Sequence, residues 1–267
     1  MTLVRVGETE LDVERSGSGP PLLLIMGMSG TALHWGEPFL ELLRKDFDVI
    51  AYDHRGVGAS TKLDGAVTIA EMAEDAAGLL QALGIDSANV VGISMGGMIA
   101  QELALAHPEL VRTLTLGCTY CGGEGSSLAD PADMQVLAEA MMSGDRERAI
   151  RAGWEINVSP SYAADTEAWA AFQGVAQRRA VAVPVVMSQM QACMAHDTHD
   201  HLASLEMPTL VIHGTEDKLL PEPNGRLIAS LIPGSQLEIL EGVGHLFFWE
   251  QPERSAELVR AHAAVPA

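Results

Sequence analysis

Ser94 stands in a glycine-framed turn, Gly92-Ile93-Ser94-Met95-Gly96, and its surroundings suit a nucleophile. A short apolar run, Val90 to Ile93, leads into the turn. Met95, Met98, Ile99, Leu103 and Ala106 then recur at helical spacing. A G-x-S-x-G pattern between a strand and a helix holds the serine in a strained turn that pushes its hydroxyl out at the end of a sheet. The flanking glycines let neighbouring backbone come close. The following helix aims free N–H groups and the positive end of its dipole at whatever the hydroxyl attacks. Acyl transfer by serine also needs a base, a carboxylate to orient the base, and fixed donors for the developing oxyanion. Two later loops offer the first two. His213-Gly214-Thr215-Glu216-Asp217 brings two carboxylates, and Glu241-Gly242-Val243-Gly244-His245 ends on a histidine. The chain order is thus serine, carboxylate, histidine, each in a loop that follows an apolar run.

These residues need strands to carry them. Residues 1 to 15 alternate in character, with Leu3, Val4 and Val6 before Gly7 and Leu11 and Val13 after it, which predicts an edge hairpin. Leu22 to Met26 is a continuous apolar run, as expected of a strand buried on both faces. It breaks into Gly27-Met28-Ser29-Gly30, small enough to turn backbone N–H groups toward a ligand. Trp35 to Arg44 reads as a helix and Val49 to Tyr52 as a strand. Thr68, with Glu71 three residues on, reads as a capping box opening a helix that runs to Leu83. Leu110 to Leu116, Pro208 to Ile212 and Leu237 to Leu240 complete the strands, and Asn224 to Leu231 and Glu253 to Ala264 the helices. Strands alternating with helices of this length predict an α/β fold with a doubly wound, mostly parallel sheet. Sites in such sheets form at the carboxyl ends of strands.

Between about residues 120 and 205 strand-like runs disappear. Met134, Leu137, Ala138 and Met141 lie at helical spacing, as do Trp169, Phe172 and Ala176, and Met187, Met190 and Met194. The expected organisation is a core of residues 1–119 and 206–267 with a helical lid inserted at 120–205. Methionine fills irregular apolar space and tolerates varied ligands. Met98, Met142 and Met190 are the residues expected to line an apolar substrate pocket between lid and sheet.

Composition narrows the function classes. At 267 residues and 48% hydrophobic residues the chain can bury a large core. No apolar stretch is long enough to span a bilayer. With 36 acidic against 16 basic residues the net charge is −20, which repels nucleic acid and anionic lipid and sets both aside as partners. The first residues lack the basic start and long apolar centre of a secretion signal, so a cytoplasmic protein is expected. Three cysteines without such a signal argue against a disulfide framework. Cys118 and Cys121 form a C-x-x-C, read here as small apolar residues rather than a redox or zinc site. The run His196 to His201 has metal-ligand residue types but is expected to cap the last lid helix or face solvent, so no metal is expected. Asp53 and Arg55 are expected to form a structural ion pair or to anchor backbone. His34, His54, His107 and His213 are expected to pack or to lie at the surface. The composition carries no signal for an oligomeric state.

Five segments together resemble the α/β-hydrolase superfamily, over nearly the whole chain. They are Met26-Gly27-Met28, the turn from Tyr52 to Ser60, the elbow from Gly92 to Gly97, His213 to Pro221, and Gly242-Val243-Gly244-His245. The likeness is to the esterase, enol-lactonase and cofactor-free perhydrolase-like members. It implies Ser94 as nucleophile, His245 as general base and acid, and Asp217 rather than Glu216 as the orienting acid. It implies oxyanion donors in the backbone N–H groups of Met28 and Met95. Many relatives have His-Gly where this chain has Met26-Gly27, which removes a side chain that can brace the oxyanion loop. A serine nucleophile sets aside the relatives that use aspartate, such as dehalogenases and epoxide hydrolases. The implied activity is cofactor-free hydrolysis of a small, apolar ester or lactone through an acyl-enzyme. C–C bond hydrolysis, perhydrolysis, or a hydrolase-like receptor without turnover are the alternatives.

Overall fold

A computed structural model describes residues 1–179 and 181–265. Apolar runs bounded by turns become eight strands: β1 (Thr2–Val6), β2 (Thr9–Gly17), β3 (Pro21–Ile25), β4 (Asp48–Tyr52), β5 (Ala88–Ile93), β6 (Val111–Gly117), β7 (Thr209–Gly214) and β8 (Gln236–Leu240). They form one sheet in the order β1-β2-β4-β3-β5-β6-β7-β8. β1 pairs antiparallel with β2, and β2 with β4; every other pairing is parallel. The parallel centre is buried on both faces. All six residues of β5 are buried, which is why Ala88 to Ile93 carries no polar alternation.

Helices cover the faces. They are α1 (Glu37–Leu43), α2 (Ile69–Ala82), α3 (Met95–Ala106), α4 (Pro131–Met142), α5 (Arg146–Asn157), α6 (Pro160–Ala163), α7 (Thr166–Arg178), α8 (Val183–Ala195), α9 (Pro223–Leu231), α10 (Phe247–Glu250) and α11 (Pro252–Ala263). The expected capping box is present. The Thr68 hydroxyl accepts the Glu71 N–H at 3.1 Å, and the Glu71 carboxylate accepts the Thr68 N–H at 2.8 Å. The helix expected from Trp35 is shorter, because Gly36 at φ +74° ends a 3-10 turn over Ala32–Trp35 before α1 begins. A side chain at Gly36 would also meet the Trp249 ring at 3.2 Å.

Five helices, α4 to α8, lie between β6 and β7. Two of them, α5 and α6, were not marked in the sequence. Aromatic rings bind this insertion to the rest. Trp154 of α5 is fully buried, 4.9 Å from Phe172 of α7 and 6.2 Å from Trp249 of α10, centroid to centroid. Arg179, just after α7, reaches Asp12 within β2 and Asp53 just after β4, 2.6 Å from each. No described helix is long and apolar enough to cross a membrane.

Candidate active site

β5 ends at Ile93 and α3 begins at Met95, so Ser94 makes the whole turn between them. Its φ is +57° with ψ −124°, a conformation that costs a residue with a side chain on the order of 1 kcal/mol or more. The turn is held from both sides. Ser94 N–H donates to the Gly117 carbonyl at 3.0 Å, and the Thr119 hydroxyl donates to the Ser94 carbonyl at 2.7 Å. The glycines are steric necessities: a Cβ on Gly92 would lie 2.2 Å from the Gly96 carbonyl oxygen, and one on Gly96 would lie 2.0 Å from that of Ile25.

The loop after β7 carries Asp217 and the loop after β8 carries His245, both buried. His245 Nδ1 donates to Asp217 Oδ2 at 2.7 Å. That bond fixes the tautomer: the proton sits on Nδ1, and Nε2 is left as the acceptor. The other Asp217 oxygen accepts the Leu219 and Leu220 N–H groups at 2.9 and 3.0 Å. A second histidine, His213, stands 3.3 Å from Asp217 Oδ2 and donates through Nε2 to the Leu220 carbonyl at 2.7 Å. Burial pushes the Asp217 carboxyl up. His245 and His213 outweigh it and hold the group well below the usual carboxylate range.

Ser94, His245, Gly27 and Met28 line one cavity of about 560 Å³, a size suited to a small organic ligand. The far wall comes from the helical insertion, with Met134, Leu137 and Met141 of α4, Phe172 of α7 and Met190 of α8. Ser94 and His245 form no hydrogen bond with one another, a looseness common in sites without substrate. The N–H groups of Met28 and Met95 make no hydrogen bond to any described residue, so both remain available to a ligand.

The loop that carries Met28 is braced from several elements. His54 Nε2 donates to the Met26 carbonyl at 2.8 Å. Asp53 accepts the Ala32 N–H at 2.7 Å, and His34 accepts the Thr31 N–H at 3.0 Å. Gln189 of α8 accepts the Ser29 N–H at 2.9 Å. In the sequence alone, His54, His34 and His213 read as packing or surface residues. Only His213, four residues before Asp217, carried a signal that could have found it.

Two expectations are corrected. Met142 is 77% exposed and does not line the cavity; its neighbour Met141 does, because a helix turns about 100° per residue. Met98 is buried in the core beneath the elbow, a turn too far into α3 to reach the cavity. Asp53 and Arg55 are structural, as expected: Asp53 anchors the Ala32 N–H, and the two residues take separate ion partners rather than each other. Asp53 takes Arg179, and Arg55 makes two 2.6 Å bonds to Asp75 of α2.

Cys118, Asp217 and His245 form the one cluster among the described residues whose metal-ligating atoms lie within 4.8 Å of one another. Burial first, and then the Asp217 charge, push the Cys118 thiol well above its ordinary value, so it stays protonated. Cys121 is a free buried thiol, pushed up to about 11 by burial. His196 ends α8, buried and 3.7 Å from Glu102, whereas His199 pairs with its neighbour Asp200 at 2.8 Å.

A sequence model of the alpha/beta hydrolase family matches residues 22–258. The chain belongs to the α/β-hydrolase family. Among its curated relatives, a protein of Azorhizobium caulinodans provisionally named a carbamate hydrolase is 31% identical over 95% of this chain and 94% of its own. A poly(3-hydroxyalkanoate) depolymerase of Ectopseudomonas oleovorans is 32% identical over 97% of this chain and 86% of its own. Among solved structures, an esterase from Rhodococcus sp. superposes with a TM-score of 0.81 at 27% identity, covering 99% of this chain and 98% of that one. Hydrolysis is the activity these α/β-hydrolase names share; the bond cleaved differs among them.

Proposed function

We propose that the protein is a serine hydrolase of small, apolar carboxylic esters or lactones, working through an acyl-enzyme. Ser94 is the nucleophile, His245 the base and then acid, and Asp217 the orienting carboxylate. The observation that carries this reading is the 2.7 Å bond from His245 Nδ1 to Asp217. It leaves Nε2 as acceptor in the same cavity as a serine held in a strained elbow. As a substrate carbonyl enters, Ser94 Oγ attacks its carbon and passes its proton to His245 Nε2. The N–H groups of Met28 and Met95 receive the oxyanion. His245 then gives the proton to the departing alkoxide, which leaves as alcohol and leaves the acyl group on Ser94. Water, deprotonated by the same nitrogen, attacks the acyl carbon; the bond to Ser94 Oγ breaks, His245 returns the proton to Oγ, and the acid leaves. Residues 120–205 act as a lid whose methionines and Phe172 bound the acyl or alcohol chain.

The test is initial rates on p-nitrophenyl esters of increasing acyl length, for wild type and Ser94→Ala together. The expected outcome is turnover in the wild type that drops by roughly 10⁴-fold or more in the variant. Equal rates in the two proteins would remove Ser94 from the chemistry. No rate in either, across esters, lactones and aryl carbamates, would favour a receptor or a C–C bond substrate. Carbamates belong in the panel because the relative from Azorhizobium carries that name.

A further inference from the structure

Ser29 is the residue after the proposed oxyanion donor Met28, and it is one of three non-glycine residues at positive φ among those described, at +56°. A side chain in that region costs about 1 kcal/mol. Something must therefore hold the loop there. The N–H groups of Gly30, Thr31 and Ala32 are committed to Gly27, His34 and Asp53. The N–H of Ser29 is committed to a residue 160 positions away, Gln189 on α8, at 2.9 Å. Gln189 is fully buried, and its amide nitrogen finds no partner among the described residues. An unsatisfied buried donor costs about 1–3 kcal/mol, so a residue chosen for packing alone would be apolar here. Because the partner is an N–H, the amide must present its oxygen, which fixes its orientation.

The same helix touches the site next door: Met190 lines the cavity, as do Val183 and Val186. We infer that Gln189 is a positioning residue, which ties the seating of α8 to the direction of the Met28 N–H. The Met28 N–H is then aimed into the site only while the bond between Gln189 and the Ser29 N–H is made. This rests on the serine-hydrolase reading and goes beyond it, since it makes part of the insertion necessary for turnover rather than for substrate choice.

Four proteins test it: wild type, Gln189→Met, Gln189→Glu and Ser188→Ala. Ser188 is the control, because its hydroxyl accepts the Val67 N–H at 3.0 Å and so anchors the same helix elsewhere. Each protein is titrated with a fluorophosphonate, so that rates refer to sites able to react. Rates are read on the best p-nitrophenyl ester, and binding on a trifluoromethyl ketone with the same acyl chain, which forms a tetrahedral adduct. Gln189→Met is expected to lower kcat by about 10- to 100-fold, the cost of misplacing a catalytic donor by about an ångström, with KM changed by less than about threefold. The inhibition constant of the ketone should rise by the same factor. Gln189→Glu keeps the acceptor oxygen and should recover most of the loss, and Ser188→Ala should keep kcat within about twofold of wild type. A Gln189→Met protein with wild-type kcat per titrated site overturns the inference. So does a Glu variant that falls as far as the Met variant, or an equal loss in Ser188→Ala. Absence of both turnover and fluorophosphonate labelling in the wild type would instead bring down the hydrolase reading, and this inference with it.

Discussion

Asp217 gathers four polar contacts, two from backbone N–H groups and two from histidines, and this explains how a buried carboxylate stays ionised beside His245. His245 is therefore oriented before any substrate arrives. Residues of the cavity wall act more independently. Met190 faces the cavity and Met142 faces solvent, so their substitution separates pocket from surface. Met190→Gln should shift the optimum acyl length and raise KM for long-chain esters by about 5- to 30-fold, through loss of about 1–2 kcal/mol of apolar contact. Met142→Gln should leave the chain-length profile unchanged. A profile over acyl lengths for both variants checks this, and an unchanged Met190→Gln profile would take the chain out of that wall.

At the scale of elements, the elbow is the least forgiving junction. Gly96, the second residue of α3, has no room for a methyl group, since the Ile25 carbonyl oxygen would stand 2.0 Å from it. Gly96→Ala should destabilise the fold by at least about 3 kcal/mol and part β3 from α3. Gly174, exposed within α7 with nothing within 4 Å of an added Cβ, is the opposite case. Gly174→Ala should stabilise by about 0.5–1 kcal/mol, because only chain entropy and helix propensity are at stake. Urea denaturation of the two variants against wild type measures both signs. The helices at either side of these positions differ in how clearly the sequence announces them. α7 shows Trp169, Phe172 and Ala176 on one face. α5 reads Arg-Glu-Arg-Ala-Ile-Arg-Ala-Gly-Trp-Glu-Ile-Asn, where the narrow face of Ile150 and Trp154 is set among five charged residues. Its one local signal is Asp145, whose side chain caps the Arg148 N–H at 3.1 Å.

Across the whole molecule, the insertion braces both ends of the proposed site. Gln189 holds the loop of Met28. The loop of His245 is held by Glu250, which accepts the Gly244 N–H at 2.8 Å and the Ser159 N–H at 2.9 Å, and by Leu246 N–H donating to the Asn157 carbonyl at 2.8 Å. Stability and site geometry should therefore fail together on acidification. Burial holds His34 and His196 down at about 4, against about 6.5 in the unfolded chain. Between those values the unfolded chain binds protons that the native one does not, so each histidine removes stability as pH falls from about 6.5 toward 4. The upper figure is roughly 3 kcal/mol for each. Asp217 adds its own loss only below its ordinary value near 4, where the unfolded carboxylate takes up a proton first. Melting temperatures from pH 7.5 to 4.5 should be level down to about 6.5 and then decline. A level profile across the whole range would mean these histidines titrate normally.

The sequence by itself determined the strand-helix alternation, the elbow at Ser94 and the loops of Asp217 and His245. These follow from local rules: an apolar run long enough for a buried strand, glycines where backbone must touch backbone, and a serine between them. It also marked the segment at 120–205 as helical, because apolar residues there recur at helical period. Tertiary structure alone decided which of two adjacent methionines faces the cavity, since one residue of helical rotation separates pocket from solvent. It alone brought His54, His34 and Gln189 to the loop of Met28 and His213 to Asp217. Those contacts join residues up to 160 positions apart, through hydrogen bonds that leave no periodicity in the chain. A histidine or glutamine inside an apolar stretch looks the same in sequence whether it packs, caps or positions a catalytic loop. Only the partner that folding places beside it decides the role.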